Sequence, residues 1–448
     1  MHFVKWRRVT WEGCSVLLDI NDGDRLVFAR LSPASTLKIG KKNCSLKPLI
    51  GCPFGSLFKV ENGKDGLFLL RIFHTEESNN IEEEEDGISE DVSKDNREIV
   101  DNNTAQRLTD QDIHAMQRQG ATGDEIVEAL ITHSATFEKK TSFSQAKYRL
   151  RKQKKYAPKV LLRRPFARSI CEAYFKKYPS RIGFLRLDAL SLLLTMANVT
   201  AYSDILVVDM VGGLLTGAVA ERLGGTGYVC NAYSGATPYP MDIARIFNFS
   251  NEICERIVRC CLTDLCPVLN GTCELVNQSK DACNSKTEQK EKLSSCESVS
   301  MEQDIVAEDG VPEVIAEKAA PLALKPSKSA KAGEGASDNL INLWKERGFS
   351  SLLIAAPELD AWSILQKLLP LLSYSAPFAI YHQYLQPLAT CMHHLQIEKL
   401  AVGLQISEPW LREYQVLPSR THPCMQMSAF GGYILSGTRT CTYDAHSH

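Results

Sequence analysis

The sequence predicts an α/β fold preceded by a small all-β domain. Before residue 76, short apolar runs flank tight-turn signals at Asp22-Gly23 and Asn62-Gly63, which is typical of short antiparallel strands. After about Lys159, apolar strands such as Ile205–Asp209 alternate with helical segments, which indicates a mostly parallel sheet covered on both faces. The chain has 448 residues, 44% of them hydrophobic and 23% charged. These ordinary globular values exclude a wholly disordered or fibrous protein.

Composition and periodicity divide the chain into four regions. We predict that residues 1–75 form a barrel-like β domain, because several short strands with turn signals suggest a small barrel or sheet. Residues 76–95 are predicted to be an acidic linker, since Glu76–Glu98 holds eleven acidic residues against two basic ones and has no apolar period. Residues 96–156 form a helical connector, and residues 157–448 form the α/β domain. Within that domain the stretch at about 268–338 is polar and poor in aromatics, and we predict a disordered insertion there.

The connector shows three helical patterns. The first, Thr109–Gln119, begins at a capping threonine, and the second, Asp124–His133, repeats apolar residues at helical spacing. The third, Phe143–Lys155, follows Ser142-x-x-Gln145, which predicts a capping box.

Charge and cysteine usage exclude several classes of protein. The formal net charge is −2, so nucleic-acid binding over the whole surface is excluded and any such binding needs a local patch. The 15 cysteines contain no CxxC, which argues against a zinc site or a disulfide framework and favours reduced thiols inside a cell. We therefore expect no metal. The longest stretch without charged side chains, Leu368–Ile397, contains three prolines, so we expect no membrane span.

A strongly basic helix is the clearest functional signal. Between Lys147 and Arg168 there are ten basic residues and no acidic one. Helical spacing places four of them on one face, and a phosphate backbone would relieve their mutual repulsion by counterion release. Tyr148 and Tyr156 add aromatic faces that could stack on bases. A solvated linker or a nuclear import signal remains the alternative interpretation. The candidate RNA-binding residues of this helix are Lys147, Tyr148, Arg149, Arg151, Lys152, Lys154 and Lys155.

The strand Ile205–Asp209 leads into a glycine-containing loop where a nucleotide-binding loop is expected. Such loops need glycine because the backbone must approach the ligand closely. In S-adenosylmethionine-dependent methyltransferases an acidic residue is followed by glycines two, four and six positions later. Counted from Asp209, these positions hold Val211, Gly213 and Leu215. Ala355 and Ala356 stand where a catalytic aspartate would be expected. The pattern predicts a methyltransferase-like fold with a degenerate cofactor loop. The alternative is a generic α/β domain that is unrelated to methyltransferases.

Longer strings connect the sequence to a known family. They are residues 96–101 (NREIVD), 123–127 (GDEIV), 134–148 (SATFEKKTSFSQAKY), Arg186-x-Asp188, 407–423 (SEPWLREYQVLPSRTHP) and 431–437 (GGYILSG). On these strings the chain resembles the non-catalytic subunits of the eukaryotic tRNA (adenine-58-N1) methyltransferase. The resemblance runs from about Trp11 to Arg439, apart from the acidic linker and the insertion.

The resemblance implies an N-terminal barrel-like domain, a helical connector and a C-terminal Rossmann-like methyltransferase fold with a degenerate cofactor site. It implies no catalytic residue and no cofactor in this chain, because S-adenosylmethionine would be bound by a homologous catalytic subunit. Two such pairs would form an α2β2 heterotetramer in the nucleus. The tRNA would lie across both subunits, and the partner would methylate N1 of adenosine 58 in the T-loop. Arg412 and Arg420 would contact RNA near the shared cleft, or would instead form ion pairs.

Two other functions are compatible with the residues. The chain could be an active methyltransferase acting on RNA with a divergent cofactor loop. It could also be a translation-factor-like RNA-binding scaffold without an enzyme partner. Activity of the chain alone would favour the first, and co-purification with ribosomal subunits the second.

Overall fold

The computed structural model describes residues 7–40, 42–63, 66–72, 106–266, 331–416, 421–428 and 430–441. These residues belong to two compact units, and the boundary in sequence lies between Arg164 and Pro165. The predicted acidic linker, residues 96–105 of the connector and most of the predicted insertion lie outside the described residues.

The N-terminal unit is built on a seven-stranded sheet. Its strands are β1 (Ser15–Ile20), β2 (Arg25–Arg30), β3 (Thr36–Ile39), β4 (Lys42–Ser45), β5 (Leu57–Gly63), β6 (Gly66–Ile72) and β7 (Lys159–Arg163). The order across the sheet is β2-β1-β7-β5-β6-β4-β3. Neighbouring strands are antiparallel except for β4 and β6. A short 3-10 helix, Lys47–Leu49, connects β4 and β5.

The sheet curls around one apolar core. Val16 on β1, Leu37 on β3 and Phe58 on β5 are all buried in the same cluster, which requires distant strands to face a common interior. The edge strands β2 and β3 do not pair in the ladder. Instead the Arg25 side chain donates from Nη1 to the Lys38 carbonyl oxygen at 2.8 Å. The unit is therefore a curled sheet with a gap between its edges.

Strand β7 moves the predicted domain boundary. The sequence predicts that the α/β domain starts at residue 157, but β7 pairs with both β1 and β5 of the N-terminal sheet. Val160 and Leu162 alternate into the N-terminal core, whereas Arg163 faces outward and pairs with Asp19 at 3.1 Å. This alternation is the strand period. The boundary is therefore Arg164, and the strand contributes to a sheet whose other strands lie about ninety residues or more earlier in the sequence.

In the part of the N-terminal unit that the structure describes, the helices α1 (Asp110–Arg118), α2 (Gly123–Thr132) and α3 (Ser142–Tyr156) precede β7. Thr109 and Thr122 cap α1 and α2 with complete capping boxes. Ile113, Ile126 and Leu130 form a small buried cluster between these helices.

The C-terminal unit alternates strands and helices. Its helices are α4 (Ala167–Lys177), α5 (Leu187–Met196), α6 (Leu214–Leu223), α7 (Asn251–Cys254), α8 (Leu262–Leu265), α9 (Asp338–Arg347), α10 (Ala361–Leu368) and α11 (Leu385–Ile397). Its strands are β8 (Ile205–Asp209), β9 (Val229–Tyr233), β10 (Ile257–Cys261), β11 (Glu334–Gly335), β12 (Ser351–Ala355), β13 (Pro377–His382), β14 (Ala401–Ser407), β15 (Tyr414–Gln415), β16 (His422–Pro423) and β17 (Tyr433–Arg439). Short 3-10 helices span Pro179–Ile182, Ile243–Phe247 and Leu369–Leu371.

The main sheet of this unit has the order β11-β10-β9-β8-β12-β13-β17-β14. The strands from β10 to β13 are parallel, and β17 is antiparallel to both of its neighbours. Progression across the sheet reverses between β8 and β12, so the topological switch point lies at the carboxyl ends of these strands. The fold is mixed α/β and Rossmann-like, and Asp209 ends β8 beside Ala355 of β12.

The predicted insertion ends earlier than expected. Residues 331–338 are described, and β11 pairs in parallel with β10 through Val258 and Arg259. The predicted limit of 338 is therefore wrong, because backbone pairing with an edge strand orders a segment whose composition is polar.

Candidate functional site

The basic helix α3 forms with a different cap from the one predicted. Thr141, not Ser142, is the N-cap, and its hydroxyl accepts from the Ser144 backbone N–H at 3.4 Å. Gln145 does not complete a capping box. Its amide donates to the carbonyl oxygens of Phe137 and Lys140 at 3.1 and 3.0 Å, which fixes the preceding loop against the helix.

The helix is held firmly on the N-terminal unit. A Cβ on Gly123, the first residue of α2, would collide with the carbonyl oxygen of Tyr156, the last residue of α3, so only glycine permits this approach. Lys59 of β5 pairs with Glu61 at 2.6 Å and also with Asp124 of α2. Because α2 is tied to the sheet and α3 packs on α2, the cations of α3 have a fixed support.

The predicted four-residue basic face is only partly available for a ligand. Lys147, Arg151 and Lys155 are exposed. Lys154 is half-buried and its Nζ lies 2.9 Å from Asp24 Oδ1. Lys155 Nζ lies 4.8 Å from the ring centroid of Tyr156, and its hydrogen bond to Tyr156 raises its pKa. Arg149 is exposed on α3.

Tyr148 does not present the open aromatic face that we expected. Its ring is half-buried and packs edge-on against Phe137 at 5.7 Å between centroids. Its hydroxyl accepts from Gln106 Nε2 at 3.2 Å. Lys140, Arg151 and Lys152 all lie within 6 Å of the ring centroid. Cations therefore already lie over the ring, which argues against the predicted stacking of a base on it. Tyr156 likewise packs against the apolar cluster between α1 and α2.

In the C-terminal unit, Asp209 is fully buried and fastens its own loop. Oδ1 accepts from the backbone N–H of Val211 at 2.9 Å and of Gly213 at 3.2 Å. Oδ2 accepts from the N–H and the hydroxyl of Thr216 at 2.7 and 2.8 Å. Burial raises the pKa of Asp209, against the opposing effect of these four hydrogen bonds. The carboxylate thus caps α6, and its acceptor sites are occupied by the protein itself.

The glycine loop is covered by residues Met241–Phe247, here called the cover segment. A Cβ on Gly212 would lie 2.8 Å from Ile243 Cδ1, and one on Gly213 would lie 2.8 Å from Met241 Cα. The Ile243 N–H donates to the Gly212 carbonyl oxygen at 3.0 Å. Both glycines have positive φ, so glycine is required here for the backbone conformation and for contact with the chain itself.

Further contacts fix the cover segment and fill the space next to it. The Phe247 ring lies directly against Gly217 of α6, and Arg181 forms an ion pair with Asp242. On the other side of the loop, a Cβ on Gly183 would lie 3.2 Å from Pro357 and 3.3 Å from the Val211 side chain. Three loops at the carboxyl edge of the sheet therefore pack on one another through apolar groups.

The second parallel strand lacks the carboxylate that would bind ribose hydroxyls. Asn231 on β9 is buried and donates from Nδ2 to the sulfur of Met241 at 2.9 Å. Its Oδ1 has no hydrogen-bond partner among the described residues. Sequence reasoning missed the cover segment, because its apolar residues carry no motif. The only hint of it in the sequence was the pair of glycines, Gly212 and Gly213, that it contacts.

A C-terminal arm lies between β14 and β17, is described over residues 408–416 and 421–428, and carries the paired strands β15 and β16. Trp410 is 77% exposed and the Arg412 guanidinium stacks over its ring at 4.7 Å. The arm also exposes Tyr414, Val416 and Met425. Arg412 lies in the C-terminal unit and α3 in the N-terminal unit. Arg420 lies outside the described residues.

Arg186, Asp188 and Gly431, which belong to the sequence strings that carry the family resemblance, hold the base of the arm in place. Arg186 is buried, pairs with Asp188, and donates to the carbonyl oxygens of Ser428 at 2.6 Å and Pro409 at 3.2 Å. A Cβ on Gly431 would lie 2.7 Å from Arg186 Nη2. The resemblance therefore includes structural residues at the base of the arm.

Other classes of site receive no support from the described part of the chain. Those residues contain no group of three or more potential metal ligands, no disulfide, and no helix with the length and apolar character needed to cross a bilayer.

Comparison with known proteins gives close relatives in several eukaryotes. A protein of Dictyostelium discoideum is 34% identical over 437 residues, which are 96% of this chain and 79% of that protein. One of Mus musculus is 32% identical over 448 residues, covering 93% and 88% of the two chains. Both are named tRNA (adenine(58)-N(1))-methyltransferase non-catalytic subunit.

Solved structures give more distant similarities. The tRNA (m1A58) methyltransferase TrmI from Aquifex aeolicus has a TM-score of 0.43 and 11% identity, covering 97% of this chain and 100% of the other. An S-adenosylmethionine-dependent O-methyltransferase from Thermotoga maritima has a TM-score of 0.47 and 11% identity, with 98% of each chain covered. The model of the Gcd10p family matches residues 11–301, and the chain belongs to this family.

Proposed function

We propose that this chain is the non-catalytic, tRNA-binding subunit of a tRNA (adenine(58)-N(1))-methyltransferase complex. The observation that carries the proposal is the covered glycine loop, in a family whose curated relatives are named as non-catalytic subunits. Asp209, Gly212 and Gly213 are engaged by the chain itself, so the fold of a methyltransferase is retained while its donor-binding face serves packing.

The proposal places the methyl donor in the partner. S-adenosylmethionine would need to lie against bare backbone at the switch point, and there the cover segment already contacts both glycines of the loop. Val211 and Leu215 are fully buried and cannot turn aside without exposing apolar surface. This chain therefore binds no cofactor and supplies no catalytic residue, and the homologous catalytic subunit binds the donor.

RNA binding would be the contribution of this subunit to the reaction. N1 of adenosine 58 is engaged within the folded tRNA, so the base must leave the stack before methylation, which costs a few kcal/mol. Contacts with phosphates can offset that cost. The exposed cations Lys147 and Arg151 on the firmly held helix α3 support such contacts, and Arg412 on the arm could grip phosphate bidentately.

The arm supports the proposed association with a partner. Large exposed apolar side chains are enriched where proteins dock, and Trp410, Val416 and Met425 are each at least 75% exposed. Trp is among the residues enriched at the energetic centres of interfaces. We place the contact with the catalytic subunit here, within an α2β2 heterotetramer in the nucleus.

Co-expression with candidate catalytic subunits tests the proposal. We expect a complex with the mass of two copies of each chain, methylation of unmodified tRNA only when both chains are present, and no S-adenosylmethionine binding by this chain alone in calorimetry. The complex itself is the positive control for donor binding. Methylation by this chain alone would identify an active methyltransferase. Co-purification with ribosomal subunits and no methyltransferase would identify a scaffold, and either result would overturn the proposal.

A further inference from the structure

The surroundings of Tyr148 contain an arrangement that the basic helix alone does not explain. Lys140 Nζ and Lys152 Nζ lie 4.9 and 5.2 Å from the ring centroid, and the Arg151 guanidinium carbon lies 5.9 Å from it. Arg151 and Lys152 follow Tyr148 by three and four positions, which places them beside the ring on the helix surface. Lys140 arrives from the preceding loop, outside the helix.

The ring itself is held in place by its neighbours. Phe137 packs against its edge, and Gln106 donates to its hydroxyl at 3.2 Å. Gln145 binds the Lys140 carbonyl oxygen at 3.0 Å, so the loop that carries Lys140 is fastened to α3. Tyr148 is therefore a rigid surface whose negative π face can attract cations from two segments.

Among the described residues none of the three cations forms an ion pair. Burial lowers the pKa of Lys152, and the charges of Lys155 and Arg151 act in the same direction, whereas Tyr156 and the more weakly acting Asp110 oppose them. An aromatic face offsets only part of the repulsion within such a group, because cation–π contacts at exposed sites are weak. A polyanion in contact with all three would relieve the remainder.

We propose that Tyr148 is a positioning residue that gathers Lys140, Arg151 and Lys152 into one phosphate-binding cluster, and that Lys140 is a tRNA contact outside the basic helix. The inference rests on the proposed function and assigns a phosphate-binding role within the same surface. The ligand class is an RNA backbone, because the ring is already occupied by cations and presents no free face for a base.

A double-mutant cycle on the full chain tests this inference. The variants are Lys140→Ala, Tyr148→Leu and their combination, and the readout is the dependence of tRNA affinity on salt concentration. Each lost phosphate contact lowers the slope of log K against log salt by about one. We expect Lys140→Ala to have this effect in the parent chain and to have almost none when Tyr148 is Leu, because the cluster is then already dispersed.

Two controls separate positioning from folding. Tyr148→Phe keeps the ring and should retain the parent slope, although it loses the bond from Gln106. Lys147→Ala removes an exposed cation that does not touch the ring. It should lower the salt slope by the same amount whether position 148 is Tyr or Leu. The inference would be overturned if Lys140→Ala changed the salt slope equally with Tyr148 and with Leu at position 148. It would also be overturned if the slope of Tyr148→Phe were as low as that of Tyr148→Leu. The proposed function would stand in both cases. A parent chain whose tRNA affinity does not depend on Lys147 would instead contradict RNA binding by α3.

Discussion

Arg186 grips Asp188, two residues away, through two parallel hydrogen bonds. Nε donates to Oδ1 and Nη2 to Oδ2, both at 2.7 Å. The same guanidinium also binds the carbonyl oxygens of Ser428 and Pro409. One buried side chain therefore fixes the start of α5 and both ends of the C-terminal arm, a task for which the planar fork of arginine is suited.

Replacement of Arg186 should detach the arm. Arg186→Ala leaves a carboxylate and two carbonyl groups without their partner, and we expect a loss of about 3 kcal/mol in the free energy of unfolding, measured in urea. Limited proteolysis should then cleave within residues 408–428. Arg186→Lys should be intermediate, since a point charge cannot bind Asp188 bidentately. Arg168→Ala, which removes a surface ion pair with Glu172, should cost less than about 1 kcal/mol. Equal costs for Arg168→Ala and Arg186→Ala would contradict the anchoring role.

Asp209 should give the unfolding free energy a characteristic pH dependence. Burial raises its pKa above the ordinary value of 3.8, so the folded state retains this proton to a higher pH than the unfolded chain does. The contribution of the group to stability is complete below pH 3.8 and falls as the pH rises through the folded-state pKa.

Asp209→Asn removes this titration. The difference in unfolding free energy between the parent and the variant should therefore shrink as the pH rises from the ordinary carboxyl pKa towards neutrality. Chemical denaturation at a series of pH values measures it. A difference that grows with pH would show that the hydrogen bonds to the ionised form outweigh burial.

Lys154 should contribute less to tRNA binding than Lys147. Its Nζ pairs with Asp24 at 2.9 Å, so binding a phosphate there requires giving up the carboxylate. We expect Lys147→Ala to lower the salt slope by about one and Lys154→Ala to lower it by less. Asp24→Asn frees Lys154 and should raise the slope. Circular dichroism checks that α3 is retained, and a reversed order of the two lysines would refute the pairing argument.

Trp410 should govern assembly and leave the fold intact. The side chain is 77% exposed and contacts solvent on the arm, so Trp410→Ala should leave the melting temperature unchanged while it weakens co-purification with the catalytic subunit at least tenfold, as for a central interface residue. Tyr202→Ala is a matched control, because Tyr202 is 75% exposed in the same unit and lies outside the arm. If both variants assemble as well as the parent chain, the arm is not the interface.

The order of elements could largely be predicted from the sequence. The apolar run Ile205–Asp209 is β8, and the described part of the connector contains helices α1, α2 and α3 close to their predicted limits. These features follow from hydrophobic periodicity, which depends only on residues close together in the sequence. The substitution of bulky Val211 and Leu215 at expected glycine positions was likewise visible without a structure.

Two features could not be predicted in this way: the pairing of β7 in the N-terminal sheet, and the contact of the cover segment with the glycine loop. Val160 and Leu162 predict a strand, but pairing with β1 and β5 is a choice between partners distant in sequence. The cover segment has no motif, and its contact with Gly212 and Gly213 exists only when the chain is folded.

The charges of α3 show the same division. A helix with a basic face follows from the sequence alone, because composition and the helical period are local properties. The ion pair between Lys154 and Asp24 and the grouping of Lys140 with Arg151 and Lys152 around Tyr148 arise only when the chain is folded. Pairing energies depend on distances between atoms, and those distances are set by packing between segments that are remote along the chain.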